Sequence, residues 1–457
     1  MPEDLLDLVD DRATTVALLA DPLAWRVRAV EHIDIDGAYS CRRRRSLQCG
    51  PLRRVIEATT EPASVAFLAI NIASVPRGPL LDLDVVGPLG PAFLLPRQEI
   101  ASRQAIFVSR LAASVGLPLS DEGVDFLSAA FGMPRSPGES SRELGTSDIE
   151  GYLADGLGSV GSESYGEWIA LSRECSEIID DWLDRPSPQS PTRLPALAIP
   201  EFVGGAEASV APEMVTRVLN EYLALLEHAA ATVRVGTPTA ADELLGSVAD
   251  YGDNFDLIVA TKVPLDEPFM LTYSERRGLD LSLYSGAGSQ DLVVADAVSN
   301  HVAVQTQDPS VEIRKVKALN PRSGAVTYGA FAVRDTRQFW SCYAHGSDRD
   351  YRTELKFRVM PLRRLRAVPY ALAGFLVLIA AAMWHEKVRD LSDLAIIAGP
   401  SALAASLLLA REQTTLGSRL RLPTSFAVTV ALGLLLATAV ALYLHWSPSD
   451  LLGTIHA

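Results

Sequence analysis

Two Asp-x-Asp pairs, Asp34/Asp36 and Asp82/Asp84, are the residues whose types and spacing could do chemistry. Residues two apart on a strand share a face. Each pair would then hold two carboxylates side by side, able to bind a divalent cation or to run acid–base chemistry. The solvent face of a half-buried strand needs the same pattern, and a turn follows both pairs, so solvation is the simpler reading. Asp82 and Asp84 are the candidate catalytic residues. The cysteines Cys41, Cys49, Cys175 and Cys342 offer no Cys-x2-4-Cys pair, so no structural zinc, other metal or cofactor is expected.

Cys41-Arg42-Arg43-Arg44-Arg45 is the most unusual local feature. In a strand, Arg42 and Arg44 point one way and Arg43 and Arg45 the other. Both faces cannot be core, so the run predicts an edge strand or a loop. A charged edge blocks unwanted strand pairing. The functional alternative is docking to anionic lipid headgroups, where each basic group contributes up to ~1 kcal/mol; a nucleotide or nucleic-acid phosphate site is a third reading. The net charge of −15 over 457 residues argues against a nucleic-acid partner.

Other motifs carry less. Gly156-Leu157-Gly158-Ser159-Val160-Gly161 has the spacing of a dinucleotide loop without the strand before it or the helix after. Ser285-Gly286-Ala287-Gly288-Ser289 reads as a hairpin loop, with a small anion nest as the alternative. The histidines are scattered, and neither a His-Glu-x-x-His nor a Gly-x-Ser-x-Gly occurs.

The elements that must position these residues fall into three regions. Residues 1–118 read as an α+β unit. It has a short helix over Glu3–Leu19, a hairpin of Trp25–Asp36 and Ala38–Gln48 turning at Asp36-Gly37, and a central strand at Ser64–Ala73. An alternating strand at Leu80–Val86 and a helix at Arg97–Val115, closed by Gly116, complete it. Residues 119–250 are mostly helical, with loops at 134–147 and 185–200. From 255 to 361 the period changes to two, predicting about seven or eight short strands in an antiparallel β-sandwich.

Three apolar runs follow, Val368–Trp384, Leu394–Ala410 and Ser425–Leu444. Each is near the length of a bilayer-crossing helix, at ~1.5 Å per residue through ~30 Å of hydrocarbon. The expected fold class is α+β: a mixed α/β N-terminal unit, a helical middle, an antiparallel β-sandwich and three transmembrane helices within 367–446. Arg358, Arg363, Arg364 and Arg366 precede the first run, and Arg411, Arg419 and Arg421 precede the third. This bias places the head in the cytoplasm and the C-terminus outside the cell membrane. Met1–Asp11 is acidic and has no signal-peptide pattern. The runs hold no charge, which points away from transport. Small residues such as Gly374, Ala380, Gly433 and Ala437 would allow close packing or homo-oligomers.

The arrangement resembles an uncharacterised group of high-GC bacterial multi-pass membrane proteins with large cytoplasmic heads. The matching parts are Arg54–Gly116, with its Pro76-Arg77-Gly78-Pro79-Leu80-Leu81-Asp82 segment, and Leu362–Leu422. The resemblance implies no activity. The function expected is a membrane-anchored cytoplasmic binding, scaffold or regulatory protein, non-enzymatic, with the bilayer and a cytoplasmic or membrane protein as partners. The alternatives are a membrane-bound enzyme, such as a hydrolase using Asp82 and Asp84, and a structural subunit of a membrane complex.

Overall fold

The computed structural model describes residues 12–37, 39–56, 64–77, 80–133, 144–158, 161–183, 191–205, 211–233, 239–282, 284–293, 297–319, 334–345, 352–386, 416–420 and 422–443, together with Gly399 and Leu403. Helix α1 (Arg12–Ala20) leads into β1 (Arg26–Ile35), β2 (Ser40–Cys49), β3 (Val65–Pro76), β4 (Leu81–Gly87), β5 (Gly90–Pro91) and β6 (Phe93–Leu94). The helical middle is α2 (Arg97–Ser114), α3 (Asp121–Gly132), α4 (Thr146–Leu157), α5 (Tyr165–Leu183), α6 (Ile199–Gly205), α7 (Pro212–Thr232) and α8 (Ala240–Asp253). The chain then forms β7 (Asn254–Pro264), β8 (Phe269–Gly278), β9 (Asp280–Leu281), β10 (Ala287–Val293), β11 (Ser299–Thr306), β12 (Val311–Leu319), β13 (Arg334–Asp335), β14 (Phe339–His345) and β15 (Arg352–Pro361). It ends in α9 (Arg363–Glu386), α10 (Leu416–Arg419) and α11 (Leu422–Tyr443).

The mixed N-terminal region, the helical middle and the β region are all present, but the strands do not separate into two units. An eight-stranded sheet has the order β13-β14-β11-β1-β2-β8-β4-β5, so strands from both ends of the head alternate within it. β1 pairs antiparallel with β2 on one side and parallel with β11 on the other. A three-stranded sheet, β3-β7-β6, also joins both regions, and β12-β15-β10-β9 forms a four-stranded sheet. The self-contained sandwich expected over 255–361 is therefore replaced by interleaved sheets. Long-range pairing satisfies edges that a local sandwich would leave open.

One face of the large sheet is core. Leu47 of β2 and Leu271 of β8 pack on Ile70, Leu257 and Val259 of the three-stranded sheet. Ile33, Cys41 and Val304 pack on Ile313, Phe357 and Val359 of the four-stranded sheet. β7 is buried on both faces, because its other side, through Ile258 and Ala260, meets Ile100 of α2. Arg77, just after β3, ties the layers to the helices. It donates to the carbonyls of Met133, Phe131 (3.0 Å) and Tyr251 (2.7 Å), at the C-terminal ends of α3 and α8. Carbonyls at helix C-terminal ends lack the next turn's amides, which makes them natural acceptors for a guanidinium.

The apolar C-terminus also differs from expectation. Among the described residues two helices, not three, are long and apolar enough to cross a membrane: Arg366–His385 and Thr424–Leu442. The expected run Leu394–Ala410, with its Gly-Pro bend, lies outside the described residues except for Gly399 and Leu403. The two helices pack along one seam, Ala373, Leu376, Ala380 and Met383 against Val428, Ala431, Leu435 and Ala439. Gly374 and Gly433, expected at a helix interface, have open space where a Cβ would stand.

These helices run parallel. α9 begins where Leu362 N donates to Ser310 O, 2.9 Å. α10, two residues before α11, is held at the same place: Gly417 N donates to Asp308 Oδ2, 2.8 Å, and Leu416 and Leu420 enter the core of the head. Both long helices therefore leave from the same end of the head.

Candidate functional site: the two faces of the large sheet

The arginine run lies on β2, between β1 and β8 in the interior of the sheet, not at an edge. Alternation divides it as a strand must. Arg42 and Arg44 are exposed; Arg43 and Arg45 are 1 % and 2 % exposed. A central strand tolerates inward arginines because its neighbours supply acids at the same level. Arg43 Nε donates to Glu31 Oε1 of β1 at 2.5 Å, and Arg45 Nη1 is 3.6 Å from Glu31 Oε2. On β8, Glu275 Oε1 is 4.0 Å from Arg43 Nη1 and 2.7 Å from Arg277 Nε.

These charges form a seam between two apolar cores. Cys41, Ile33 and Leu279 lie on one side, and Leu47, Ala29 and Leu271 on the other. Burial alone would lower the Arg43 pKa, but Glu31, Tyr273 and Glu275 together hold it raised. Burial pushes the Tyr273 phenol up to about 12 and the Cys41 thiol up to about 11. All four cysteines are buried and free, and burial makes them inert rather than reactive. Arg43 and Arg45, expected at a membrane surface, are thus structural ions.

The opposite face of the sheet is open. Arg42 and Arg44 stand beside Asp34 and His32 of β1 and Arg276 and Ser274 of β8. Farther along, Arg28 Nη2 is 3.4 Å from His301 Nε2, and the His301 ring meets Tyr343 edge-on at 4.5 Å. Partial burial, then Arg28, lowers the His301 pKa, which favours the neutral ring.

The two Asp pairs are not assembled as acid–base pairs. Asp82 sits at φ 50° in a bulge, since the β4–β8 register shifts between Leu81 and Asp84. Asp82 and Asp84 are both exposed. Arg276 gathers one member of each pair instead, with Nε 3.7 Å from Asp82 Oδ2 and Nη2 3.6 Å from Asp36 Oδ2. Among the described residues no cluster of three or more His, Cys, Asp or Glu could hold a metal.

The glycines of the two motifs stand at a helix end and in a turn. Gly158, at φ 64°, caps α4 through a 2.9 Å bond to Ala154 O, so a helix stands where a dinucleotide loop needs a strand. Gly286 N donates to Ser282 O and Gly286 O accepts from Val359 N, both 2.7 Å, which closes a hairpin turn. The residues that sequence reasoning missed are Arg28, Glu31, Glu275, Arg276 and His301. Glu31 had a signal, a lone acid on the apolar face of an alternating segment. His301 had none, because β11 was not foreseen.

No family model, curated protein or solved structure matches the chain.

Proposed function

We propose that the chain is a membrane-anchored binding protein whose open sheet face receives an acidic segment of a cytoplasmic partner. Both apolar helices leave one end of the head in the same direction, with Arg363, Arg366 and Arg419 at that end. Basic flanks favour the cytoplasmic side, so the head is cytoplasmic and the C-terminus emerges opposite. The observation that carries the reading is the division of the large sheet: one face makes two cores, while the other presents Arg28, Arg42 and Arg44 to solvent. Arg42 and Arg276 are matched by Asp34, Asp36 and Asp82 on this face. The register neighbours of Arg44 are Ser274 and His32, neither of them an acid, and Arg28 stands beside His301. Arg28 and Arg44 are therefore the charges left to meet an acidic partner, where complementary charge speeds encounter and discriminates among partners. Hydrolysis by Asp82 and Asp84 finds no support in their geometry, because Asp82 is held in the bulge beside Arg276.

The test is co-purification of the intact protein from native membranes beside the variant Arg28→Glu/Arg44→Glu. Arg217→Glu, at an exposed arginine of α7, is the control. The reading expects a partner lost from the double variant, retained by the control and released by salt. Identical partners for all three proteins would refute it.

A further inference from the structure

The end of the head from which the apolar helices leave carries two exposed tyrosines from different hairpins. Tyr39, in the β1–β2 turn, is 61 % exposed. The guanidinium of Arg419 stacks over its ring at 5.5 Å. Arg419 lies five residues before Thr424, where the second apolar span begins. Five residues span at most about 17 Å even when fully extended, so Arg419 stands close to the start of that span. Tyr39 thereby stands at the end of the head nearest the second apolar helix.

Tyr284 stands at the same end of the head by another route. It is 83 % exposed, in the turn that Val359 N closes by donating to Gly286 O. Val359 is two residues before Pro361, the end of β15, and α9 begins at Arg363. Tyrosine is favoured at a membrane–water interface because its ring is apolar and its hydroxyl stays wet. Arg363, at the start of α9, and Arg419, over the Tyr39 ring, are exposed, and Arg42 lies three residues beyond Tyr39.

We propose that this end of the head is a lipid-contact collar, in which Tyr39 and Tyr284 seat in the interface and Arg42, Arg363 and Arg419 meet the phosphates of anionic phospholipids. The collar rests on the membrane-spanning reading of the two helices. It does not depend on what the open face binds. It gives Arg42 a different role from Arg44, which lies one pleat farther from the turn.

The experiment uses the full chain reconstituted into vesicles of phosphatidylcholine, with and without phosphatidylglycerol. Single variants Tyr39→Cys, Tyr284→Cys, Phe375→Cys and Val27→Cys carry an environment-sensitive fluorophore, and quenching by headgroup-labelled and chain-labelled nitroxide lipids is read. Phe375 is 56 % exposed on the first apolar helix, and Val27 is 45 % exposed near the far end of β1. The collar predicts chain-label quenching at position 375, headgroup-label quenching at 39 and 284, and none at 27. Phosphatidylglycerol should strengthen the quenching at 39, and Arg42→Glu/Arg419→Glu should abolish that gain. Quenching at 375 with positions 39 and 284 as unquenched as 27 would overturn the collar alone. Absence of quenching at 375 would overturn the membrane-spanning reading and the collar with it.

Discussion

Arg43 Nε lies 2.5 Å from Glu31 Oε1, and both side chains are closed off from water inside a β-sheet. Breaking such a pair by removing one partner leaves an uncompensated buried charge, a cost of about 3–5 kcal/mol. Arg43→Met and Glu31→Gln are each expected to destabilise the head by that order in denaturant unfolding. Arg42→Met and Arg44→Met, one residue away but exposed, are expected to change stability by no more than about 0.5 kcal/mol. The double variant Arg43→Met/Glu31→Gln should cost less than the sum of the singles, because the two residues are coupled. Equal effects at positions 42 and 43 would contradict the burial of alternate arginines.

Arg77 supplies a guanidinium to backbone carbonyls at two helix ends and stacks on Phe255 with its Cζ 4.8 Å from the ring centroid. Burial, despite Asp253, lowers its pKa to about 10, so it stays charged at neutral pH. Arg77→Met leaves the carbonyls of Phe131 and Tyr251 without this donor. At about 1–3 kcal/mol for a buried group left unsatisfied, the loss should exceed 2 kcal/mol. Arg77→Lys should recover only part of it, since an ammonium lacks the fork that spans both ends. Full rescue by lysine would show that charge alone, not the fork, matters here.

The hairpin of β1 and β2 was legible because Asp36-Gly37 is a strong turn signal between two extended segments. The alternation of Arg42–Arg45 was legible too. Its meaning was not, because the acids that neutralise Arg43 and Arg45 lie on β1 and β8, and the chain gives no local clue that β8 is the neighbour of β2. The parallel pairing of His32 with Ala303, across the length of the head, is beyond any periodicity. Likewise, Asp82 and Asp84 looked like two residues of one strand face, whereas the bulge between Leu81 and Asp84 re-aims one of them. Two of the three apolar runs, Val368–Trp384 and Ser425–Leu444, were legible as helices from composition, but the parallel course of α9 and α11 rests on contacts of Asp308 and Ser310 that spacing cannot reveal.

Asp256 gives the head a pH dependence. Burial, reinforced by Asp250, raises its carboxyl to about 7, although Gln104 Nε2 donates to Oδ2 at 3.0 Å. The folded protein thus keeps a proton that the unfolded chain releases near pH 4. Stability falls with pH wherever the folded state binds more protons. The contribution is fully present below about pH 4 and is lost as pH rises through about 7. At about 1.4 kcal/mol per pKa unit the loss is on the order of 4 kcal/mol. Unfolding midpoints measured across this range should fall for the wild type and stay flatter for Asp256→Asn. Parallel pH profiles would show that Asp256 does not hold the proton.

Asp308 fixes the entry to the second apolar helix. Its Oδ1 accepts from Ser310 N at 2.8 Å, and its Oδ2 accepts from Gly417 N at 2.8 Å. Glycine suits position 417, because a Cβ there would displace the Ser310 hydroxyl. Hydrogen bonds to a charged acceptor contribute about 1.5–3 kcal/mol, so Asp308→Ala should free α10 from the head without unfolding it. In hydrogen exchange of the reconstituted protein, the Gly417 amide should then lose protection by roughly ten- to a hundredfold, at about 1.4 kcal/mol per decade. Amides in β1 should keep theirs. Gly417→Val should produce the same local loss by crowding, at about 1–3 kcal/mol. If the two variants release the same amides, the clamp is one unit, and the helix is positioned by the head rather than by the lipid. If Asp308→Ala leaves Gly417 fully protected, apolar packing of Leu416 and Leu420 alone suffices to hold α10 in place.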